Sequence, residues 1–470
     1  MMSSARREDA SFRDPAGQVF HICGRVLRTV SEQGAADYEF VRDSGFLPPA
    51  VSAKRVIASE EVSAEDIEGL TANVRYVLEH PALTFISYPY EWCFSALRSA
   101  ALLQLDLMEE ALHYEVALAD ASAYNVQFQG PYPIFIDTLS FRRYRDGDYW
   151  LAHQQFCEQF LNPLLLTAMK DIPFNAWFRG SMEGIGSQQL NQLLTWRQKL
   201  SWRVLTHVAL PVRFQSRARV DTGSHTDRAK ARRLPRTAFL HMIGGLRKWI
   251  AELKPTRGGS SLWRNYTSQN TYDADAAEAK TAFTKRFAAT VKPELLWDMG
   301  CNTGHYTEVA LRNGAQEAIG FDIDTGAVEA AFARAAGERL RFLPLVMDAA
   351  NPSPNQGWQG RERKALTGRN AADGLLAYAV VHHLSIGRGI PLQDVTAWLI
   401  GLAPQGVIEF VEKQDPMIQL MLKLRPDIFT DYGRESFFAA VRNHAEIVDT
   451  VEILEDRRVL VWYRRAARRP

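Results

Sequence analysis

The sequence predicts an α/β protein, with a doubly wound, mostly parallel sheet in its C-terminal half and an α+β domain in its N-terminal half. Three observations carry this prediction. Apolar runs of strand length alternate with helix-sized stretches after residue 294, and the first run passes through Asp298 into a glycine turn. The last two runs flank Glu455-Asp456 as the strands of an antiparallel hairpin would.

The glycine turn follows the first strand directly. Its residues run from Gly300 through Asn302 to Gly304, and a helical stretch begins at His305. Small residues let the backbone come close to a ligand, and a strand-end acid such as Asp298 can hold a ribose or an amino group. The Gly-x-Gly-x-x-Gly spacing of pyrophosphate sites is absent, which argues against NAD or FAD.

Acids also end the next two predicted strands. The second strand ends at Asp322, which Ile323 follows, and the third, Phe342–Met347, ends at Asp348. A carboxylate at the end of the second strand of such a unit can accept hydrogen bonds from both ribose hydroxyls of a nucleoside. The carboxyl edge of the sheet is therefore predicted to bind a nucleoside.

The glycine turn, the strand-end acids and the terminal hairpin together resemble the class I S-adenosylmethionine-dependent methyltransferases, over roughly residues 263–465. The resemblance implies S-adenosyl-L-methionine as cofactor. Asn302 stands where the family usually has a middle glycine, and asparagine enters left-handed conformations. The implied cofactor-binding residues are Asp298, Gly300, Asn302, Gly304, Asp322, Ile323 and Asp348. By the same resemblance Tyr266 or Tyr272 touches the methionine end or the substrate; alternatively, these aromatics pack against the sheet.

In this fold the substrate faces the ends of the fourth and fifth strands. His382 and His383 follow the fourth strand, and a neutral imidazole can act as a base near physiological pH. Glu409 lies inside the fifth strand and Glu412 follows it, so both are further candidates. Alternatively, the histidines pack or cap a turn and the acids belong to a surface charge run. Oxygen, nitrogen, carbon and sulfur acceptors all occur on this fold.

The N-terminal half contains a second group of candidate residues, Asp120, Asn125 and Asp137. A loop Asp, an Asn and a strand-end Asp suit magnesium-assisted phosphoryl transfer from ATP. Residues 15–200 resemble a diverged protein kinase or aminoglycoside phosphotransferase. A glycine-rich phosphate loop is missing and Lys54 is the nearest candidate for the strand-borne lysine. The domain is therefore active, or degenerate and substrate-recognising, or the three residues only cap turns.

The two halves in combination are similar to a bacterial group of nodulation-protein-type methyltransferases. The motifs that carry this resemblance are Val-Val-His-His-Leu from Val380, Glu-Phe-Val-Glu-Lys-Gln-Asp-Pro-Met from Glu409 and Asp-Tyr-Gly-Arg-Glu-Ser-Phe-Phe from Asp431. The similarity implies methyl transfer without fixing an acceptor.

These patterns divide the 470 residues into four segments. Residues 1–14 are expected to be a disordered tail, and residues 15–212 the kinase-like domain. Residues 213–236 are rich in Arg and form a predicted basic linker. Residues 237–470 are the predicted methyltransferase domain.

Composition narrows the possible partners. The net charge of +1 disfavours nucleic acid as a partner, and no apolar run suits a membrane span or a signal peptide. The four cysteines lack metal-site spacing, so we expect no metal site and a cytoplasmic protein. The sequence predicts a methyltransferase acting on a small molecule. The alternatives are a bifunctional enzyme that also uses magnesium and ATP, and a non-catalytic scaffold; the oligomeric state stays open.

Overall fold

The computed structural model describes residues 6–63, 74–209, 234–255, 274–423, 426–454 and 457–465. These residues form two compact units. The N-terminal unit contains the described residues up to Phe128, those from Tyr132 to residue 255, and the segment Asn355–Arg363, while the C-terminal unit contains the others. Every helix in these ranges is too short or too polar to cross a bilayer.

The N-terminal unit begins with a five-stranded antiparallel sheet in the order β1-β2-β3-β5-β4. Helices α1 and α2 lie between β3 and β4 in the chain, and the Cys23-Gly24 turn joins β2 to β3. The elements are β1 (Arg6–Arg7), β2 (Val19–Ile22), β3 (Arg25–Ser31), α1 (Glu32–Asp43), α2 (Leu47–Ser52), β4 (Glu60–Val62) and β5 (Val74–His80).

A long buried helix, α3, follows this sheet, and two short antiparallel strand pairs, β6–β9 and β7–β8, come next. Apolar side chains of α3 recur every three or four residues, so one face lies in the core. The elements are α3 (Phe94–His113), β6 (Val116–Leu118), β7 (Val126–Gln129), β8 (Tyr132–Phe135) and β9 (Phe141–Arg143).

The rest of this unit is helical. The elements are α4 (His153–Phe156), α5 (Asn162–Lys170), α6 (Asn175–Gly180), α7 (Ser187–Leu193), α8 (Trp196–Lys199), α9 (Trp202–Val204) and α10 (Arg236–Glu252). The π-helical turn Cys157–Leu161 joins α4 to α5, because Pro163 has no N–H to continue the α-helical ladder. The amphipathic pattern of Gln188–His207 predicts one continuous helix. The structure instead has three short helices here, followed by a π-helical segment, Leu205–Ala209.

The C-terminal unit is a seven-stranded sheet in the order β12-β11-β10-β13-β14-β16-β15, in which the first five strands are parallel and β16 is antiparallel to both neighbours. The elements are α11 (Ala274–Val291), β10 (Leu295–Met299), α12 (His305–Leu311), β11 (Glu317–Asp322), α13 (Thr325–Gly337), β12 (Phe342–Val346), β13 (Gly374–Ala377), α14 (Leu392–Leu402), β14 (Gln405–Val411), α15 (Pro416–Leu422), α16 (Arg434–His444), β15 (Glu446–Leu454) and β16 (Arg458–Arg464). The predicted doubly wound sheet and terminal hairpin are both present, whereas Glu455-Asp456 lies outside the described residues.

Two segment boundaries differ from those expected. Residues 1–14 were expected to be disordered, but the described residues 6–14 are ordered: β1 pairs with β2, and Asp14 accepts a hydrogen bond from Arg28. Helix α10, placed at the start of the second domain by its sequence, packs on α3 of the N-terminal unit. An ion pair between Arg247 and Asp106 joins these two helices. Residues 210–233 of the expected basic linker lie outside the described residues.

Candidate functional site

The turn after β10 has an unusual backbone. Gly300, Asn302 and Gly304 all have positive φ angles, of 79°, 49° and 78°. A Cβ atom on Gly300 would lie 2.5 Å from Val380 Cγ2, and one on Gly304 would lie 2.5 Å from Phe342 Cε1. Glycine is therefore required at both positions by conformation and by space. The turn keeps its backbone close to the carboxyl ends of β10 and β11.

Asp298 lies at the end of β10 and is 2 % exposed. Its Oδ2 accepts a 2.5 Å hydrogen bond from Thr307 Oγ1 of α12. Burial raises the pKa of Asp298 to about 7, the Thr307 hydrogen bond opposes this rise, and the nearby Asp322 adds to it. The carboxyl group is thus poised to change its charge near neutral pH.

Asp322 ends β11 beside the glycine turn. Its Oδ2 accepts the backbone N–H of Asn302 at 2.9 Å, and its Oδ1 accepts that of Asp324 at 2.9 Å. Burial raises its pKa, while these backbone hydrogen bonds oppose the rise. The next side chain, Ile323, is 50 % exposed. Asp298, the glycine turn and Asp322 are therefore brought together at one edge of the sheet.

The other predicted cofactor-binding residues have different surroundings. Asp348 follows β12, and its Oδ2 accepts a hydrogen bond from the exposed Arg388 at 3.1 Å. Its Oδ1 accepts the N–H of Ala350. Tyr266 and Tyr272 lie outside the described residues.

A buried charge network is centred on Glu409 of β14. Glu409, fully buried within β14, accepts a 2.7 Å hydrogen bond from Lys280 of α11, which is itself 2 % exposed. The other oxygen of Glu409 lies 3.5 Å from Arg458 Nη1, and Arg458 Nε donates to Asp415 at 2.7 Å. Glu409 therefore contacts two cations. Sequence reasoning missed both pairings, because the partners lie 129 and 49 residues away.

Aromatic rings and the predicted histidines line the same region. Lys280 Nζ lies 5.3 Å from the ring centroids of both Tyr306 and Tyr378. The rings of His382 and His383 are 4.2 Å apart, and burial lowers the pKa of both. His382 is buried and its Nδ1 has no hydrogen-bond partner among the described residues, whereas His383 is half-buried.

Glu412 directly follows β14. Its backbone N–H donates a hydrogen bond to the carbonyl oxygen of Arg457, and its own carbonyl oxygen accepts one from the N–H of Asp415. Its side chain is half-buried.

In the N-terminal unit the two predicted acids, Asp120 and Asp137, and the predicted amide, Asn125, are also close together. Asn125 Nδ2 donates to Ser140 Oγ at 3.1 Å, and Ser140 Oγ donates to Asp137 at 2.8 Å. The pKa of Asp120 is raised by burial and by Asp137, and is lowered by hydrogen bonds that include one with Asn125. These contacts place the three side chains close together.

An arginine that the sequence did not single out contacts one member of this cluster, Asp137. Arg28, buried on β3, forms ion pairs with Asp137 at 2.7 Å and with Asp14 at 2.5 Å. Lys54, the lysine suggested by sequence, instead follows α2 in a left-handed turn with a φ of 55°. An arginine at a strand position was detectable, but only the fold shows that it faces Asp137.

The strand order of the C-terminal unit, with a glycine turn and acids at its carboxyl edge, defines a doubly wound α/β protein of the class that binds ligands at the carboxyl ends of its strands. The chain is 43% identical over 460 residues to nodulation protein NoeA of Rhizobium meliloti (strain 1021), and the match covers 98% of this chain and 96% of that protein. The chain therefore belongs to the NoeA family. No family model matches it.

Several solved structures are similar to part of the chain. The N-methyltransferase NodS of Bradyrhizobium japonicum WM9, in complex with S-adenosyl-l-homocysteine, is 13% identical with a TM-score of 0.31, covering 45% of this chain and 96% of NodS. Magnesium protoporphyrin IX methyltransferase of Synechocystis PCC 6803 is 16% identical with a TM-score of 0.31, covering 43% of this chain and 93% of that one.

Proposed function

We propose that the chain is an S-adenosylmethionine-dependent methyltransferase that acts on a small molecule. The observation that carries this proposal is the juxtaposition of the left-handed Gly300–Gly304 turn with Asp322. The turn leaves no room for side chains beside its backbone, and a carboxylate at the end of the second strand is suited to two ribose hydroxyls. Asp298 adds a second acid, suited to the positive charge of the cofactor's methionine end.

On the acceptor side, we propose His383 as the base. Its pKa is lowered by burial, so the ring is neutral at physiological pH and can accept a proton. It is less buried than His382, and a substrate can therefore reach it more easily. Glu409 is a positioning residue in this proposal, because both of its oxygens contact cations and it is fully buried. The cofactor supplies the methyl group, and the protein aligns the acceptor with it.

The function is tested by calorimetric titration with S-adenosylmethionine and by transfer of a tritiated methyl group to pools of amine, hydroxyl and carboxyl acceptors. One binding site and label in a small-molecule product support the proposal. Failure to bind S-adenosylmethionine or S-adenosylhomocysteine would overturn it.

Cofactor binding is expected to release protons near neutral pH. The pKa of Asp298 is raised to about 7 by burial, so part of this carboxyl is protonated at pH 6 to 7. A cationic ligand favours the charged form and lowers this pKa. Affinity should therefore rise between about pH 5 and about pH 7 and level off above that range. Proton release is measured by titration in buffers of different ionisation enthalpy.

The matched control is Asp298→Asn, which keeps the size of the side chain but cannot ionise. It should bind the cofactor more weakly and without the proton release near pH 7. The same raised pKa lowers the stability of the unliganded fold as pH rises from about 4 towards about 7, so the variant should also flatten that dependence. Unchanged proton release in Asp298→Asn would assign the titration to another group.

We further propose that the N-terminal unit is a diverged kinase-like domain that no longer transfers phosphate. A five-stranded sheet with helices between β3 and β4, then α3 and two strand pairs around Asp120 and Asp137, supports the likeness. Protein kinases use a lysine on a strand and an Asp that holds magnesium. Here Arg28 pairs directly with Asp137, so a fixed cation already neutralises the acid that a metal would need.

The purified chain is accordingly expected to show no magnesium-dependent binding of ATP. Because the Arg28 guanidinium lies 2.7 Å from Asp137, a magnesium nucleotide would have to displace it. Fluorescence titration with an ATP analogue, with and without magnesium, measures this. Arg28→Ala serves as the comparison, since it frees Asp137. Magnesium-dependent binding by the wild-type chain that is lost in Asp137→Ala would instead support the bifunctional alternative.

A further inference from the structure

Two histidines and a cysteine that the proposed reaction does not use converge in the N-terminal unit. His153 begins α4, Cys157 begins the π-helical turn after it, and His207 lies in the π-helical segment Leu205–Ala209. His153 Nε2 is 3.1 Å from His207 Nδ1 and 3.7 Å from Cys157 Sγ. All three possible ligand atoms lie within 4.8 Å of one another.

We propose that His153, Cys157 and His207 bind a divalent transition-metal ion, with zinc as the best fit. Imidazole and thiolate are the side-chain ligands that zinc prefers. Tetrahedral zinc with ordinary bond lengths places two nitrogens about 3.4 Å apart and a nitrogen and a sulfur about 3.6 Å apart. The observed separations of 3.1 and 3.7 Å differ from these values by a few tenths of an ångström.

The backbone presents these side chains in a manner that favours a common ligand. His153 and Cys157 are four residues apart and lie on one helical face. The N–H of Asn162 donates a hydrogen bond to the carbonyl oxygen of Cys157, five residues earlier, and this π-type spacing widens the helical turn. Both of the segments that carry Cys157 and His207 are π-helical, and π-turns are frequent at functional sites. The sequence does not predict this metal site, because His207 lies 54 residues away from His153 and no Cys-x-x-Cys motif marks the ligands.

The surroundings hold the rings in place. The ring of His153 packs edge-on against Trp150, with centroids 5.6 Å apart, and that of His207 lies 6.1 Å from Trp249 of α10. The described part of the chain supplies three ligand atoms, so water or another small ligand would complete a tetrahedral shell.

Metal binding at this site would also stabilise the loop that contains Asp120 and Asn125. Gln155 and Gln159 belong to the same helical segment as His153 and Cys157. Gln155 Oε1 accepts the N–H of Ala121 at 2.9 Å, and Gln159 Oε1 accepts that of Ala123 at 2.7 Å. An ion that ties this segment to His207 would thus fix the position of the loop.

The experiment uses the full-length chain, stripped with a chelator and titrated with Co²⁺ and Zn²⁺. We expect one Co²⁺ per chain with a thiolate-to-cobalt charge-transfer band, displaced by Zn²⁺. Cys157→Ser should abolish the band, and His207→Ala should weaken binding by at least about 100-fold. Cys23→Ser, which removes an exposed thiol, should leave the band unchanged.

Thermal unfolding without metal first establishes that the variants fold. Zinc at 100 times its dissociation constant should shift the folding equilibrium of the wild type by about 100-fold and that of Cys157→Ser far less. A band that persists in Cys157→Ser, or equal zinc stabilisation of both proteins, would overturn the proposal. So would the absence of cobalt binding by the wild-type chain. These outcomes are independent of S-adenosylmethionine binding.

Discussion

Replacing Asp322 by alanine is expected to weaken the binding of S-adenosylmethionine by at least about 100-fold. Two hydrogen bonds from ribose hydroxyls to a charged acceptor contribute about 1.5–3 kcal/mol each, and both would be lost. The substitution also removes the acceptor for Asn302 N–H, so the glycine turn loses one of its anchors. Isothermal titration measures the loss directly.

Two further variants separate ribose recognition from a general loss of charge. Glu338→Ala removes an exposed acid that pairs with Arg312 in the same unit, and it should bind the cofactor as the wild type does. Asp322→Asn keeps one acceptor oxygen but turns an amide N–H towards a backbone N–H. Its affinity for the cofactor should therefore lie between that of the wild type and that of Asp322→Ala. Wild-type affinity in a folded Asp322→Ala protein would show that this acid does not hold the ribose.

Replacing Glu409 by leucine is expected to destabilise the C-terminal unit by about 3–5 kcal/mol. The Lys280 ammonium, 2 % exposed, would lose its carboxylate partner while staying buried. The free-energy cost of leaving this charge without the carboxylate is larger than the net stabilisation that the intact ion pair provides. Lys280→Met should cost less, because Glu409 still lies 3.5 Å from Arg458. Hydrogen exchange of the β14 amides reports the stability of this unit separately from the other one.

The double variant Lys280→Met with Glu409→Leu tests whether the buried Lys280 charge causes the loss of stability in Glu409→Leu. If the cost comes from an uncompensated charge, the pair of substitutions should recover much of the stability lost in Glu409→Leu. Glu338→Gln, at the exposed Arg312 pair, should change stability by less than about 1 kcal/mol. A stable Glu409→Leu protein that binds the cofactor and has lost methyl transfer would instead indicate a direct catalytic role for this glutamate.

The secondary structure of the C-terminal unit was largely predictable from its sequence. Apolar runs ending in Asp298, Asp322 and Asp348 gave the strands and the edge at which they end, because parallel buried strands must be apolar throughout. The prediction failed in the N-terminal unit where one long helix was expected over Gln188–His207. An amphipathic pattern cannot show where tertiary packing breaks a helix.

The pairings between side chains far apart in the chain could not be predicted from the sequence. Arg28 with Asp137, Lys280 with Glu409, and His153 with His207 join residues far apart in the chain. No local periodicity or motif marks such pairs, since each side chain taken singly also fits a solvated surface or a capped turn. Their burial is what makes the partners necessary.

By itself, the sequence determined the glycine turn, the strand-end acids and the terminal hairpin, because these depend on local conformation and on the period of apolar residues. Only the tertiary structure decided which charges are neutralised. It placed Arg28 against Asp137, enclosed Glu409 between two cations, and brought one side-chain atom each of His153, Cys157 and His207 within 4.8 Å of one another. The physical reason is that a buried charge or ligand acquires its properties from neighbours that the folded chain supplies.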